Sequence, residues 1–216
     1  MSHDSDLQMN VLEELKWEPS VTAGHIAVTA REGIVTLSGT VDNFMNRNSA
    51  ERAARRVQGV RAVVEQIKVK LPSDNGRTDE QIATAVVDRL AWNVSVPKNA
   101  IAVKVENGHV TLSGEVQWHF EKEAAELEVQ HLHGVTGVTS LIGLKSRADT
   151  GAISEDIKSA LKRSWYTRPD SISVTAVSGR VKLSGIVHSP HAKAVAGAVA
   201  WNSPGATAVQ NDLTIS

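Results

Sequence analysis

Apolar and polar positions alternate strictly in one short stretch that the chain carries three times: Gly33-Ile-Val-Thr-Leu-Ser-Gly39, Gly108-His-Val-Thr-Leu-Ser-Gly114 and Gly179-Arg-Val-Lys-Leu-Ser-Gly185. Val35 and Leu37 share one face, as do Val110 and Leu112, and Val181 and Leu183, the pattern of a half-buried strand. The first glycines lie 75 and 71 residues apart, room for each copy to fold around a core of its own. The spacing therefore predicts three domains, 1–73, 74–146 and 147–216. Cores of that size are marginal, so the copies are expected to lean on one another.

The flanking pattern predicts the remaining elements. Ser5 with Gln8, and Thr78 with Gln81, have capping-box spacing ahead of a 3.6-residue apolar period, Leu7, Val11 and Leu15 in one copy and Ile82, Val86 and Leu90 in the next. In the third copy Ser154 is expected to cap a helix that buries Ile157 and Leu161. Each helix runs into a tryptophan, Trp17, Trp92 or Trp165, expected to cover the open end of the core. An alternating segment follows (Ile26, Val28, Ala30; Ile101, Val103, Val105; Ile172, Val174, Ala176) and pairs with the glycine-bounded strand. Asn107-Gly108 supplies the positive φ that a tight hairpin turn requires. Gly39, Gly114 and Gly185 are expected to let the chain leave the sheet.

A second helix turns Ala50, Ala54 and Val57, or Ala125, Val129 and Leu132, inward. Gly59, Gly134 and Gly205, each 26 positions after the first glycine of its copy, are expected to stop that helix. Val63, Ile67 and Val69 mark a last strand, with counterparts Val138, Ile142, Leu144 and Val209, Leu213, Ile215. The predicted order is helix, strand, strand, helix, strand, three times over. Short joints rich in Pro, Gly, Ser and Asp fall at 71–77 and 146–152.

This order, the Gly-x-Val-x-Leu-Ser-Gly strand, the Gly-Val of Gly59-Val60 and Gly134-Val135, and the closing strand resemble the BON domain, the bacterial osmotic-stress and nodulation module. The resemblance covers nearly the whole chain as three tandem copies, the third divergent, with Pro204-Gly205-Ala206 in place of Gly-Val. It implies an α+β fold in which each copy is a small mixed three-stranded sheet with two helices on one face. It also implies no catalytic residues, no cofactor, and a role in binding phospholipid membranes or in osmotic and envelope stress. The alternative is a soluble protein-interaction scaffold.

Composition adds little to this picture. Hydrophobic residues at 41% and charged residues at 22% are those of an ordinary globular chain, and the formal net charge of −1 favours no electrostatic partner. The domains are nevertheless uneven, at 0, −4 and +3, which suits packing between copies. Without cysteine there is neither a disulfide framework nor thiolate chemistry. The opening Met-Ser-His-Asp-Ser-Asp lacks the features of a secretory signal, so a cytoplasmic location is expected, or a periplasmic one if the chain is a trimmed mature form.

No set of titratable groups recurs with the repeat, and phosphate-loop, zinc-protease and nucleophile-elbow motifs are missing from the sequence, so no enzyme is expected. His131 and His133 point to different faces of a helix and His119 lies three turns away, which argues against a metal site. Arg47, Arg52, Arg55, Arg56 and Arg61 form the densest basic cluster, a candidate contact for anionic lipid headgroups. The competing reading is a solvated helix face on which Arg47, Glu51 and Arg55 pair at i, i+4. No aromatics interleave with these arginines, so no nucleic-acid partner is expected. In the third copy the outward helix positions held elsewhere by Glu51, Arg52 and Arg55 become Gly197, Ala198 and Trp201. This apolar face is a candidate interface for a neighbouring repeat, a second copy of the chain or a membrane, with Gly197 at a close backbone approach and Trp201 as anchor.

Overall fold

The computed structural model describes residues 3–70, 77–145, 152–163 and 171–215; Trp165 and most of both joints lie outside them. Repeat one runs α1 (His3–Trp17), β1 (Ile26–Arg31), β2 (Ile34–Val41), α2 (Phe44–Arg56) and β3 (Ala62–Val69). Repeat two runs α3 (Asp79–Trp92), β4 (Ile101–Glu106), β5 (His109–Val116), α4 (His119–Gln130) and β6 (Gly137–Leu144). Repeat three runs α5 (Ile153–Arg163), β7 (Ile172–Val177), β8 (Arg180–Val187), α6 (Pro190–Trp201) and β9 (Ala208–Ile215).

Each repeat makes its own three-stranded sheet with the glycine-bounded strand in the centre, ordered β1-β2-β3, β4-β5-β6 and β7-β8-β9. β1 and β2 pair antiparallel from Ile26 opposite Gly39 to Arg31 opposite Ile34, and β2 pairs parallel with β3 from Ile34 opposite Ala62 to Val41 opposite Val69. The third sheet repeats this register. A parallel pair needs a crossover, and the second helix of each repeat supplies it. In repeat one Leu7, Val11 and Leu15 of α1 and Ala50, Ala53 and Ala54 of α2 bury against Val28, Val35, Leu37 and Ile67 of the sheet. The fold is thus α+β, with both helices on one face. By compactness the chain divides into two units: Met1–Arg89, Val103–Thr111 and Leu127–Thr139 form the first, and Leu90–Ala102, Leu112–Glu126 and Ser140–Ser216 the second. The middle repeat contributes to both.

All three hairpins have positive φ at both turn residues, Glu32-Gly33, Asn107-Gly108 and Ser178-Gly179, the conformation that matches strand twist in a two-residue hairpin. Asp79 holds one of them: its carboxylate accepts from Asn107 N at 2.7 Å and Gly108 N at 2.8 Å. Asp4 does the same for Glu32 N at 2.8 Å.

The other glycines act differently from the sequence expectation. Gly39, Gly114 and Gly185 do not end their strands, which continue to Val41, Val116 and Val187. Each lies inside the central strand at positive φ, where a Cβ would overlap a backbone carbonyl, that of His25, Ala100 or Ser171. Gly59, Gly134 and Gly205 likewise do not stop the second helix. That helix ends at Arg56, Gln130 or Trp201, and the glycine occupies the following turn. There its carbonyl packs on the hairpin glycine: a Cβ on Gly33, Gly108 or Gly179 would come within 3.1, 2.8 or 2.7 Å of it. The gap-free 26-residue spacing therefore records a backbone-to-backbone contact.

Thr78 and Gln81 form the reciprocal capping box, with Gln81 N donating to Thr78 Oγ1 and Thr78 N to Gln81 Oε1. Ser5 is no cap. Helix α1 begins at His3 with Asp4 and Asp6 in its first turn, where acidic groups favour the dipole, and Gln8 instead donates to Val28 O at 2.7 Å. Ser154 is displaced from the cap because Ile153 continues the buried period of Ile157 and Leu161, so α5 already starts at Ile153. The second helices solve the same problem in two ways. Asn43 and Ser189 cap α2 and α6 through their side chains. Trp118 holds that position in repeat two, and Glu121 reaches back to accept from Gln117 N and Trp118 N at 2.8 and 2.9 Å.

Candidate functional site

Trp17 and Trp92 do not cover the core. They are 83% and 84% exposed. Leu15 and Leu90 are buried two residues earlier, and two residues along a helix is a turn of about 200°, which points each ring away from the core. The core ends are closed by Val21 and Val96 instead, at 8% and 6% exposure. The chain beyond each ring is pinned: Val21 N donates to Glu18 O at 3.0 Å, while Asn93 Oδ1 accepts from Ser95 N at 2.8 Å and Asn93 O from Val96 N at 3.1 Å. Val94, two residues beyond Trp92 in sequence, is fully exposed. Two apolar projections on fixed backbone are the result, one in each of the first two repeats.

The arginine cluster is largely neutralised by carboxylates. Arg47 Nε lies 2.7 Å from Glu65 of β3, not against Glu51, and its Nη1 donates to Thr136 O at 3.5 Å. Arg55 pairs with Glu51 at 2.7 Å, and Arg56 with Glu14 and Glu18 at 3.0 and 3.1 Å. Arg52 donates to Ser49 Oγ, and the stem of Arg61 lies over Gly33. Hydrogen bonds from Arg56, then from Ser20, hold the Glu18 carboxyl below the usual carboxylate range. A lowered carboxylate stabilises its pairing at neutral pH, and that stabilisation disappears as pH falls through the lowered value.

The histidines stay apart in role. His131 Nδ1 lies 2.6 Å from Leu127 O, and His119 Nδ1 lies 3.5 Å from Glu123. His188 and His191 are exposed. Among the described residues no group of three or more His, Cys, Asp or Glu is placed to hold a metal ion.

On α6, Ala192, Ala196 and Ala200 are buried in the repeat's own core. The Trp201 ring stacks on His119 of α4, centroids 3.9 Å apart. Gly197 owes its place to its own repeat: Asn211 of β9 donates to Lys193 O at 2.9 Å, and a Cβ on Gly197 would sit 3.0 Å from the Asn211 amide. The close approach is a side chain within repeat three, not another backbone. In repeat one the corresponding pair is Glu65 with Arg47.

The family model of the BON domain matches residues 3–70, 78–145 and 149–216, and the chain belongs to the BON domain family. In class it is a binding module. Osmotically-inducible protein Y of Escherichia coli (strain K12) is 27% identical over 139 residues, spanning 62% of this chain and 69% of that protein. Among solved structures, CdsD, a structural protein of the Type III secretion system of Chlamydia trachomatis, aligns at 15% identity over 98% of this chain and 92% of its own, with a TM-score of 0.28. The C-terminal domain of CdsD gives the same TM-score with 98% of both chains covered.

Proposed function

We propose that the chain is a non-enzymatic, stress-related module that attaches to phospholipid surfaces through Trp17 and Trp92. The exposure of these two rings, at equivalent helix ends on pinned backbone, carries the reading. An indole has an apolar body and an N–H that seeks a hydrogen-bond partner, so it gains most at a membrane interface. No helix among the described residues is long and apolar enough to cross a membrane, and attachment by projecting side chains needs none. The arginines are secondary contacts, since Arg47, Arg55 and Arg56 already have carboxylate partners. The stress role follows from family membership and from the osmotic induction that names the Escherichia coli relative.

The second reading is a soluble protein-interaction scaffold, favoured by the way second helices meet other repeats. Within the first unit Asn48 of α2 bonds Gln130 of α4 at 3.3 Å, and within the second Trp201 stacks on His119. In this proposal the Gly197, Ala198 and Trp201 face seats repeat three on repeat two. Vesicle flotation separates the readings. The protein is expected to float with anionic vesicles and to remain mostly bound at about 1 M salt, where the Debye length is only about 3 Å. Recovery on no vesicle supports the scaffold, and recovery that collapses with salt returns the contact to the arginines.

A further inference from the structure

Where α4 and α6 meet, a cleft of about 330 Å³ lies open to solvent, lined by His119, Phe120 and Glu123 from α4 and by Gly197 and Trp201 among others from α6. That volume is at the small end of the roughly 300–1,000 Å³ range of ligand pockets. Among the described residues, three of its walls are rings, its one acidic group is the Glu123 carboxylate, and neither Lys nor Arg lines it.

The charge around the cleft selects the sign of an occupant. Helix α6 ends beside it at Trp201, and the carbonyl end of a helix carries partial negative charge that favours cations. The opposite influence, the amide end of α4, is offset because Glu121 already accepts from Gln117 N and Trp118 N. An anion entering here would meet Glu123 and, among the described lining residues, no cationic side chain to hold it apart from His119. The rings select further. Aromatic faces attract cations, and Trp attracts them best. A primary ammonium keeps its water or seeks several acceptors, whereas a quaternary ammonium has no N–H to satisfy and spreads its charge over methyl groups that pack on rings.

We propose that this cleft binds a small quaternary ammonium group, with Trp201 and Phe120 against the methyl groups and Glu123 supplying the countercharge. Such a group occurs both in free small cations and in choline lipid headgroups, and the site's chemistry is the same for each. This is independent of the attachment through Trp17 and Trp92, because the free-cation experiment contains no membrane.

The test is an NMR titration of the full chain, reading the indole N–H signals, with Trp201 assigned by its loss in Trp201→Phe. Tetramethylammonium chloride is expected to shift the Trp201 signal saturably while sodium chloride at equal ionic strength does not. Glu123→Gln should weaken the apparent affinity about threefold, and Phe120→Leu should weaken it by at least as much. Unmoved signals from the other four tryptophans certify that the fold of each variant is intact. A shift with soluble glycerophosphocholine and none with tetramethylammonium assigns the source to the lipid headgroup and leaves the site standing. Equal shifts with neutral tert-butyl alcohol, or no saturable shift with either probe, overturn it.

Discussion

Gly114→Val is expected to lower the melting temperature of the middle repeat by on the order of 15 °C. The residue sits at φ +138 and a Cβ there would overlap the Ala100 carbonyl oxygen, with the Ala100 carbonyl carbon and Ile101 Cα both at 3.2 Å. All three contacts are backbone, next to the start of β4, so relief requires moving the strand and stretching its ladder to β5. Backbone strain of this kind costs about 1–3 kcal/mol by itself, and the displaced strand raises the total to about 3 kcal/mol. At roughly 4–8 °C per kcal/mol for a domain of this size, the shift is large. Gly39→Val and Gly185→Val should behave alike, because His25 and Ser171 stand where Ala100 does. Gly24→Ala is the control: nothing lies within 4 Å of a Cβ at Gly24, and its melting temperature should hold. An unaltered melting temperature in Gly114→Val would mean that the strand is not packed as described.

The second large effect is on membrane attachment. Trp17→Ser and Trp92→Ser are each expected to weaken vesicle binding about thirtyfold, and the double variant should fail to float. A ring half-inserted at an interface removes about 100 Å² from water, worth about 2 kcal/mol, and each 1.4 kcal/mol is about tenfold in affinity. Because both rings are more than four-fifths exposed, folding should not suffer: the melting temperature of either variant should match the parent. Arg52→Ala and Arg61→Ala should change flotation less than either tryptophan variant. If they change it more, the rings are not the contact.

The strands and their pairing were legible because each has strict alternation and a hairpin dipeptide that fixes register. The αββαβ order followed from there. Glycine was harder, since a sequence shows the need for glycine without showing which neighbour imposes it. Gly114 reads as a strand end until Ala100 is seen across the ladder, and Gly59 reads as a helix stop until Gly33 is seen against it. Trp17 and Trp92 were open to a better reading, for Leu15 and Leu90 lie two residues earlier on the inner face, and that offset alone turns the rings outward. The arginine cluster could not be resolved from spacing, because Glu14, Glu18 and Glu65 come from α1, its following turn and β3. Gly197 makes sense only beside Asn211, fourteen residues on in β9.

Contact with the membrane through exposed tryptophans and not arginines can be read from quenching of tryptophan fluorescence by phospholipids brominated on their acyl chains. Bromine quenches only rings that reach the hydrocarbon boundary. Clear quenching is expected in the parent and none in the Trp17→Ser, Trp92→Ser double variant, while the Arg52→Ala, Arg61→Ala variant should be quenched like the parent. Full quenching in the double tryptophan variant, or a parent that floats with vesicles yet is not quenched, would contradict it.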